Sequence, residues 1–328
     1  MACALWPLSL LFRALSGVRA VLYRAGLLRS TRLPVPVVVV GNIFIGGTGK
    51  TPLTIWLVQA LQQAGLRPAV ISRGHGSDGA APRAVTPAST AQQVGDEPLL
   101  IAQRTGCPVM VGRDRAATGR ALLAAHPDIN ILITDDGLQH YALQRDVEIV
   151  LFDGRGAGNG WLLPAGPLRE PRSRRRDFTV INAPQLTPDL LASVGAPAQV
   201  GQMQLVGEVA EQLGDRSQRR TLASLQQPGL RIVATAGIGN PARFFGMLRR
   251  AGLEFTELAL PDHHDFLDRP FAGLQADLIL MTEKDAVKCA QIEELRDDPR
   301  LWVVPVTARI TAALAEHIVE KCRGCTSA

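Results

Sequence analysis

The stretch Val37-Val38-Val39-Val40-Gly41-Asn42-Ile43-Phe44-Ile45-Gly46-Gly47-Thr48-Gly49-Lys50-Thr51-Pro52 constrains this chain more than any other. A β-branched apolar run feeds a glycine-rich turn. The turn ends in Gly-Lys-Thr, and an apolar-periodic segment follows (Leu53, Ile55, Trp56, Val58, Leu61). Strand, loop and helix in that order are the context a phosphate-binding loop requires. Gly46, Gly47 and Gly49 lack Cβ atoms, so backbone N–H groups around Thr48 can close on phosphate oxygens. The helix N-terminus adds partial positive charge. Lys50 can reach the β- and γ-phosphates, and the Thr51 hydroxyl can ligate Mg²⁺. The stretch predicts a nucleoside triphosphate bound with Mg²⁺.

The pattern G-x-x-x-x-G-K-[ST] wants glycine where this chain has Phe44. Gly46 to Thr51 instead resembles the variant loop of the partition and nitrogenase-iron-protein ATPases. Those proteins carry a signature lysine just before the double glycine, and Ile45 stands there in this sequence.

With 328 residues the chain can hold two domains and a sizeable core. Its 46% hydrophobic and 20% charged content excludes a disordered chain. The net charge of +5 says less than its placement: no Asp or Glu precedes Asp78, while Arg13, Arg19, Arg24, Arg29 and Arg32 precede the glycine turn. Those arginines punctuate an apolar segment from Ala4 to Leu28. At helical spacing Ser9, Arg13, Ser16, Gly17, Ala20 and Arg24 share one narrow face, with Leu8, Leu11, Leu15, Val18 and Leu22 largely elsewhere. A spanning helix needs about 20 residues with few charges, and a secretory signal places its charges before the apolar run. The pattern instead predicts an interfacial helix, apolar face in lipid and arginines toward anionic headgroups. The alternative is a helix packed on the protein's own core. The five cysteines make no disulfide framework, and the lone Cys322-x-x-Cys325 lacks the further ligands a zinc site needs, so it reads as incidental. A reducing cytoplasmic setting follows.

After the first helix, apolar strands are expected at Arg67–Ser72, Val109–Val111, Ile129–Thr134, Val147–Phe152 and Val180–Asn182, with helical segments between most of them. Polar clusters close them: Arg73-Gly74-His75-Gly76, Gly112-Arg113-Asp114-Arg115, Asp135-Asp136-Gly137-Leu138-Gln139-His140 and Asp153. This predicts an α/β protein with a parallel sheet of P-loop NTPase type flanked by helices, ligands collecting at the carboxyl ends of the strands. Val180–Asn182 is expected to be the last strand of the first domain, and residues from about 183 to 225 a linker with irregular strands. A second, smaller α/β domain is expected from strands at Arg231–Ala236, Leu278–Met281 and Trp302–Val306, the last two each followed by a helix. The expected division is an interfacial helix at 1–30, a P-loop domain at 31–190 and a second domain at 191–328.

Asp135-Asp136 at a strand end has the form of a Mg²⁺-holding carboxylate pair. Asp96 and the Asp262-His263-His264-Asp265 cluster are candidates for general base chemistry, since a kinase acting on an alcohol needs a carboxylate near the acceptor hydroxyl. By itself Asp96 also reads as a helix N-cap. Arg169-Glu170 and the run Arg172, Arg174, Arg175, Arg176 could meet phosphate, a membrane or only solvent. Spacing does not join Asp96 to His263.

The motifs together carry a resemblance. Gly41-Asn42-Ile43 with the glycine turn, Ile71-Ser72-Arg73-Gly74, Val94-Gly95-Asp96-Glu97-Pro98, the Asp135–His140 hexapeptide, Pro164-Ala165-Gly166-Pro167-Leu168-Arg169-Glu170, Pro261-Asp262-His263-His264 and Thr282-Glu283-Lys284-Asp285-Ala286-Val287-Lys288 occur in that order. The chain resembles the tetraacyldisaccharide 4′-kinase (lipid A 4′-kinase) family of Gram-negative bacteria. The resemblance implies transfer of the ATP γ-phosphate to the 4′-hydroxyl of a tetraacylated glucosamine disaccharide 1-phosphate, by a peripheral enzyme on the cytoplasmic face of the inner membrane, with no nucleic acid and no obligate protein partner. It implies that Lys50 and Thr51 meet nucleotide and Mg²⁺, that Asp135, Asp136 and Glu170 stand on the metal side, and that His140 ends that motif. Asp96 is implied as the base, with His263 rather than His264 as its partner, and Arg169 as a group that offsets phosphoryl charge. His263 and Asp96 then belong to different domains, so domain closure would assemble the site. The rival readings are a switch ATPase or GTPase that dimerises over nucleotide, and a nucleotide-sensing membrane adaptor in which the acidic residues are expendable.

Overall fold

The computed structural model describes residues 2–74, 81–195 and 199–326. The loop residues His75 and Gly76, expected at the end of the second strand, lie outside them. A short 3-10 turn (Ala2–Leu5) leads into α1 (Trp6–Arg24). Then come β1 (Val37–Gly41), α2 (Lys50–Gln63), β2 (Pro68–Ser72), the two-residue β3 (Arg83–Ala84), α3 (Ala91–Val94), α4 (Asp96–Thr105), β4 (Val109–Val111), α5 (Arg115–Ala125), β5 (Ile131–Asp135), β6 (Val147–Asp153) and β7 (Phe178–Asn182). The chain continues through α6 (Pro188–Val194), β8 (Val200–Val206), β9 (Val209–Gln212), β10 (Arg219–Thr221), β11 (Ile232–Ala236), α7 (Pro241–Arg250), β12 (Thr256–Ala259), β13 (Leu278–Thr282), α8 (Glu283–Cys289), α9 (Glu293–Arg296), β14 (Leu301–Val304), β15 (Thr307–Ile310) and α10 (Ala312–Thr326).

Two sheets result. The larger has the order β15-β8-β7-β6-β1-β5-β2-β4-β3, the smaller β10-β9-β14-β13-β11-β12. In the larger sheet all pairings are parallel except those of the edge strands β3 and β15. The valine run explains the centre: Val38 and Val40 face one apolar layer, Val37 and Val39 the other, so β1 is buried on both faces as a central parallel strand must be. Its carboxyl end delivers the glycine turn beside the carboxyl ends of β5 and β6, which pair with it in parallel register.

The expected boundary at residue 190 falls inside the first sheet. β8 pairs in parallel with β7, β15 returns antiparallel onto β8, and α10 packs Leu314, Ile318 and Cys322 into the first lobe's core. The first lobe therefore extends to Val206 and takes back the chain from Thr307, and β7 is not its last strand. β8 is hard to read because Gly201, Gln202 and Gln204 interrupt its apolar run, and its side chains are only partly covered. Trp302–Val306 is likewise followed by β15 before any helix. Burial pushes the Cys322 thiol up to about 12, so Cys322 packs as an apolar side chain.

α1 docks through one face. Ser9 is buried and donates to the Leu162 carbonyl at 2.8 Å, and Phe12 packs on the first lobe's core. The opposite face leaves Leu8, Leu11, Leu15 and Val18 in the open, Leu15 at 63% exposure. Ser9, expected on one narrow face with Arg13, thus turns toward the protein.

Candidate active site

The glycine turn is held from within by two asparagines. Asn42, buried just after β1, donates to the Gly46 carbonyl at 3.2 Å and to Thr48 Oγ1 at 3.0 Å. Asn182, at the end of β7, donates to the Thr48 carbonyl at 2.9 Å. Gly46 (φ 90°) and Gly49 (φ 101°) occupy the left-handed region that side chains resist, so the backbone bends without strain and α2 starts at Lys50. Thr51 follows, buried.

Lys50 points at the end of β5. Its Nζ lies 3.6 Å from Asp136 Oδ1, and the Arg169 guanidinium approaches the same carboxylate at 3.4 Å. Asp136 takes a left-handed φ of 51°, which turns its carboxylate toward the glycine loop. Asp135 behind it is buried: Oδ1 accepts from Thr54 Oγ1 at 3.1 Å, and Oδ2 has no partner among the described residues. Burial pushes its pKa well above the carboxylate range, and neighbouring Glu97 adds to this, while Lys50 opposes it. A buried carboxylate oxygen without a partner, beside a lysine and a hydroxyl-bearing loop, fits a divalent cation.

Glu170, expected on the metal side, is held by three donors. Its carboxylate accepts from Gln139 and Tyr141 at 2.8 Å each and from Arg174. Arg174 also pairs with Glu148 at 2.6 Å. With both oxygens engaged, Glu170 fixes the segment that carries Arg169. His140, which ends the Asp135 motif, keeps its pKa lowered by burial.

The structure joins what spacing could not. Asp96 Oδ2 lies 3.0 Å from His263 Nδ1, across 167 positions of sequence. Asp96 is the first residue of α4 rather than its cap. Gly95, with φ 87°, takes the cap position, and Asp96 Oδ1 accepts from the Glu97 N–H at 2.9 Å. Burial would raise Asp96, but the His263 hydrogen bond and the charges of Lys284 and Lys288 outweigh it and hold the carboxyl below its ordinary range. The hydrogen bond to Asp96 raises His263 despite its partial burial. His264 turns away: its Nδ1 accepts from the Phe266 N–H at 3.0 Å, and its Nε2 lies 3.3 Å from Asp268.

Several residues here had no role in the sequence reading. Lys284 and Lys288 on α8 lie 3.9 and 3.7 Å from Asp96 Oδ2, and Lys284 also reaches Glu97 at 3.2 Å. Their spacing of four along Lys284-Asp285-Ala286-Val287-Lys288 was the available signal, because it puts both on one helix face. Glu283 takes Arg104 of α4 at 2.5 and 2.6 Å. Asp285 accepts from the Gly237 N–H at 3.0 Å, and the Gly237 carbonyl accepts from the His263 N–H at 3.2 Å. From α7, Arg243 reaches across to buried Asp153 at 2.7 Å. The Gly237–Asn240 turn lies directly on the glycine loop: a Cβ on Gly239 would sit 3.0 Å from Gly47 N. The second lobe is thus in contact with the first at both the loop and Asp96.

Comparison with known proteins gives one consistent result. A family model described as tetraacyldisaccharide-1-P 4′-kinase matches residues 1–323. The chain is 65% identical over 327 residues to the tetraacyldisaccharide 4′-kinase of Janthinobacterium sp. (strain Marseille), covering 98% of this chain and 92% of that protein. It is 60% identical over 334 residues to the enzyme of the same name from Herminiimonas arsenicoxydans, with the same coverage. Among solved structures, the apo form of LpxK from Aquifex aeolicus in complex with ATP superposes with a TM-score of 0.81 at 26% identity, covering 99% of both chains.

Proposed function

The chain belongs to the tetraacyldisaccharide-1-phosphate 4′-kinase family, and from that premise we propose how its residues divide the work. It is an ATP-dependent kinase of lipid A biosynthesis, acting on the 4′-hydroxyl of a tetraacylated disaccharide 1-phosphate. The switch-ATPase and adaptor readings give way to this one.

Gly46 to Gly49 bind the ATP phosphates through backbone N–H groups, and Lys50 and Arg169 offset charge on the phosphoryl oxygens. Thr51, Asp135 and Asp136 hold Mg²⁺, with Glu170 joining only by giving up one of its present partners. Bound there, Mg²⁺ supplies neutralisation of the nucleotide's phosphate charge. Asp96 Oδ2 accepts the proton of the acceptor 4′-hydroxyl while the γ-phosphoryl group passes from the bridging oxygen of ADP to the 4′-oxygen. His263 donates to Asp96 through Nδ1 and fixes its orientation. A carboxylate held below its ordinary pKa is a weak base, which suits a loose transition state in which the attacking oxygen gains little bond order before its proton leaves. The single observation that carries this reading is the 3.0 Å pair between Asp96 and His263. Each residue belongs to a different lobe, and the lobe that carries His263 also lays Gly239 on the glycine loop.

The acceptor's acyl chains require access from a lipid surface. The bare apolar face of α1 supports peripheral attachment at the cytoplasmic face of the inner membrane. The helix through Arg24 is long and apolar enough to cross a bilayer, at a mean hydropathy of 1.3. Its lateral docking through Ser9 and Phe12 and the arginines along it favour lying in the interface. The test is γ-³²P transfer from ATP to the tetraacyldisaccharide 1-phosphate in micelles. Transfer is expected from the parent and its collapse from Asp96→Ala. An unaffected variant would remove Asp96 from the reaction.

A further inference from the structure

At the C-terminal end of α1 lies a cleft of about 350 Å³ between that helix and the first lobe. Arg24, Arg32, Arg145, Arg174 and Arg175 line it against one carboxylate, Glu148. Arg32 is paired with Asp146, and Arg145 with Glu148. Among the described residues, Arg24 and Arg175 have no ion-pair partner. Arg174 is deeply buried, its side chain only 6% exposed. Its terminal nitrogens hold Glu148, Glu170 and Tyr141, yet its Nε has no partner among the described residues. Burying a guanidinium with an unmet donor is costly unless something else supplies the acceptor.

We propose that this cleft binds the phosphate group of a membrane lipid. Guanidinium groups suit phosphate because their donors match its oxygens in pairs. The position selects a lipid as the carrier, and to that extent the proposal rests on the membrane reading of α1. The helix that forms one wall turns its apolar residues outward up to Val21, and Leu27 just beyond is 74% exposed, so the cleft mouth lies at headgroup level when that face is in lipid. Tyr23 from the helix and Tyr141 from the lobe meet in the cleft, their ring centroids 5.9 Å apart, and tyrosines are frequent at membrane–water boundaries. The cleft is separate from the nucleotide loop but touches its support, since Arg174 and Tyr141 both hold Glu170, next to Arg169. A lipid phosphate here would seat the enzyme at one height and rotation on the membrane.

The full-length protein is assayed by co-sedimentation with vesicles of phosphatidylcholine alone and of phosphatidylcholine with phosphatidylglycerol, comparing the parent, Arg175→Glu and Arg172→Glu. Arg172 belongs to the same basic run but does not line the cleft, so its variant reports nonspecific surface charge. Expected is a preference of the parent for phosphatidylglycerol that Arg175→Glu weakens by about tenfold or more, beyond the effect of Arg172→Glu, with binding to phosphatidylcholine unchanged. Equal weakening by both variants, or none, overturns the site. If the parent ignores both kinds of vesicle, the membrane reading fails on its own, and titration with soluble glycerol phosphate decides the cleft. Saturable binding lost only in Arg175→Glu then assigns the site to a soluble phosphate ester and overturns the lipid as its ligand, and no difference between the variants overturns the site.

Discussion

Lys284 Nζ stands 3.9 Å from Asp96 Oδ2 and 3.2 Å from Glu97 Oε1, so one lysine of the second lobe grips the first turn of α4 that carries the proposed base. Lys288 adds a contact with Asp96 at 3.7 Å, and Arg104 returns the grip through Glu283. The position of the base is therefore set from both lobes.

Replacing the base and replacing the loop lysine should separate chemistry from binding. Asp96→Asn keeps the shape and is expected to lower kcat by about 10²–10⁴-fold, with the KM for ATP little changed. Lys50→Ala removes a group that meets phosphate in ground and transition states and should lower kcat and raise the KM for ATP together. Steady-state transfer rates with varied ATP distinguish the two.

The pair should also mark the pH dependence of stability. Asp96 is held below its ordinary pKa in the folded chain, so its contribution is present above the unfolded value of about 4 and is lost as pH falls through the folded one. His263 is raised, so its contribution is full below the unfolded value of about 6.5 and is lost as pH rises through the folded one. The difference in Tm between the parent and His263→Gln should be largest between about pH 4 and pH 6.5 and should shrink on both sides. A difference flat from pH 4 to pH 9 would remove the pair's charge from the stability.

The α4–α8 clasp holds a buried carboxylate. Glu283 is 7% exposed and takes Arg104 at 2.5 Å and the Val306 N–H at 3.1 Å. Arg104→Ala leaves that charge with one neutral donor and should destabilise by about 3 kcal/mol. Substituting both residues by apolar ones of similar volume should recover part of this loss. Urea unfolding measures both variants.

A side chain at Gly239 should press on the nucleotide loop. A Cβ there would meet Gly47 N at 3.0 Å and Asp262 Oδ2 at 3.1 Å, and the first of these is backbone that cannot rotate aside. Gly239→Ala is expected to push the turn off the nucleotide loop and raise the KM for ATP several-fold while the fold persists. ATP titration together with circular dichroism reads both effects.

How much could be read in advance depended on how local each signal is. The Val37–Val40 run and the turn from Gly46 to Thr51 announce strand, loop and helix because each is a contiguous pattern. The paired Asp135 and Asp136 end their strand for the same reason. β8 escaped notice because it sits near the sheet's edge, where Gln202 and Gln204 can face outward and no continuous apolar run is needed. The chain's return through β15 and α10 left no mark either, since rejoining an earlier sheet is a property of topology and not of any window of residues. Asp96 and His263 meet only because α4 and the loop after β12 belong to lobes that pack together. His263 takes its left-handed φ of 62° as the third residue of the turn that the His264 N–H closes on the Pro261 carbonyl at 3.2 Å. Glu170 was legible as an acidic residue at the end of a proline- and glycine-rich loop, but its three donors come from Gln139, Tyr141 and Arg174, and only the fold collects them.

The most direct test of the two-lobe site is a double-mutant cycle on kcat with Asp96→Asn, His263→Gln and the combined variant in the γ-³²P transfer assay. If the two residues act as one unit, the combined variant loses no more activity than Asp96→Asn alone. If the two losses multiply, Asp96 and His263 act independently, and the pair across the lobes is not what moves the proton.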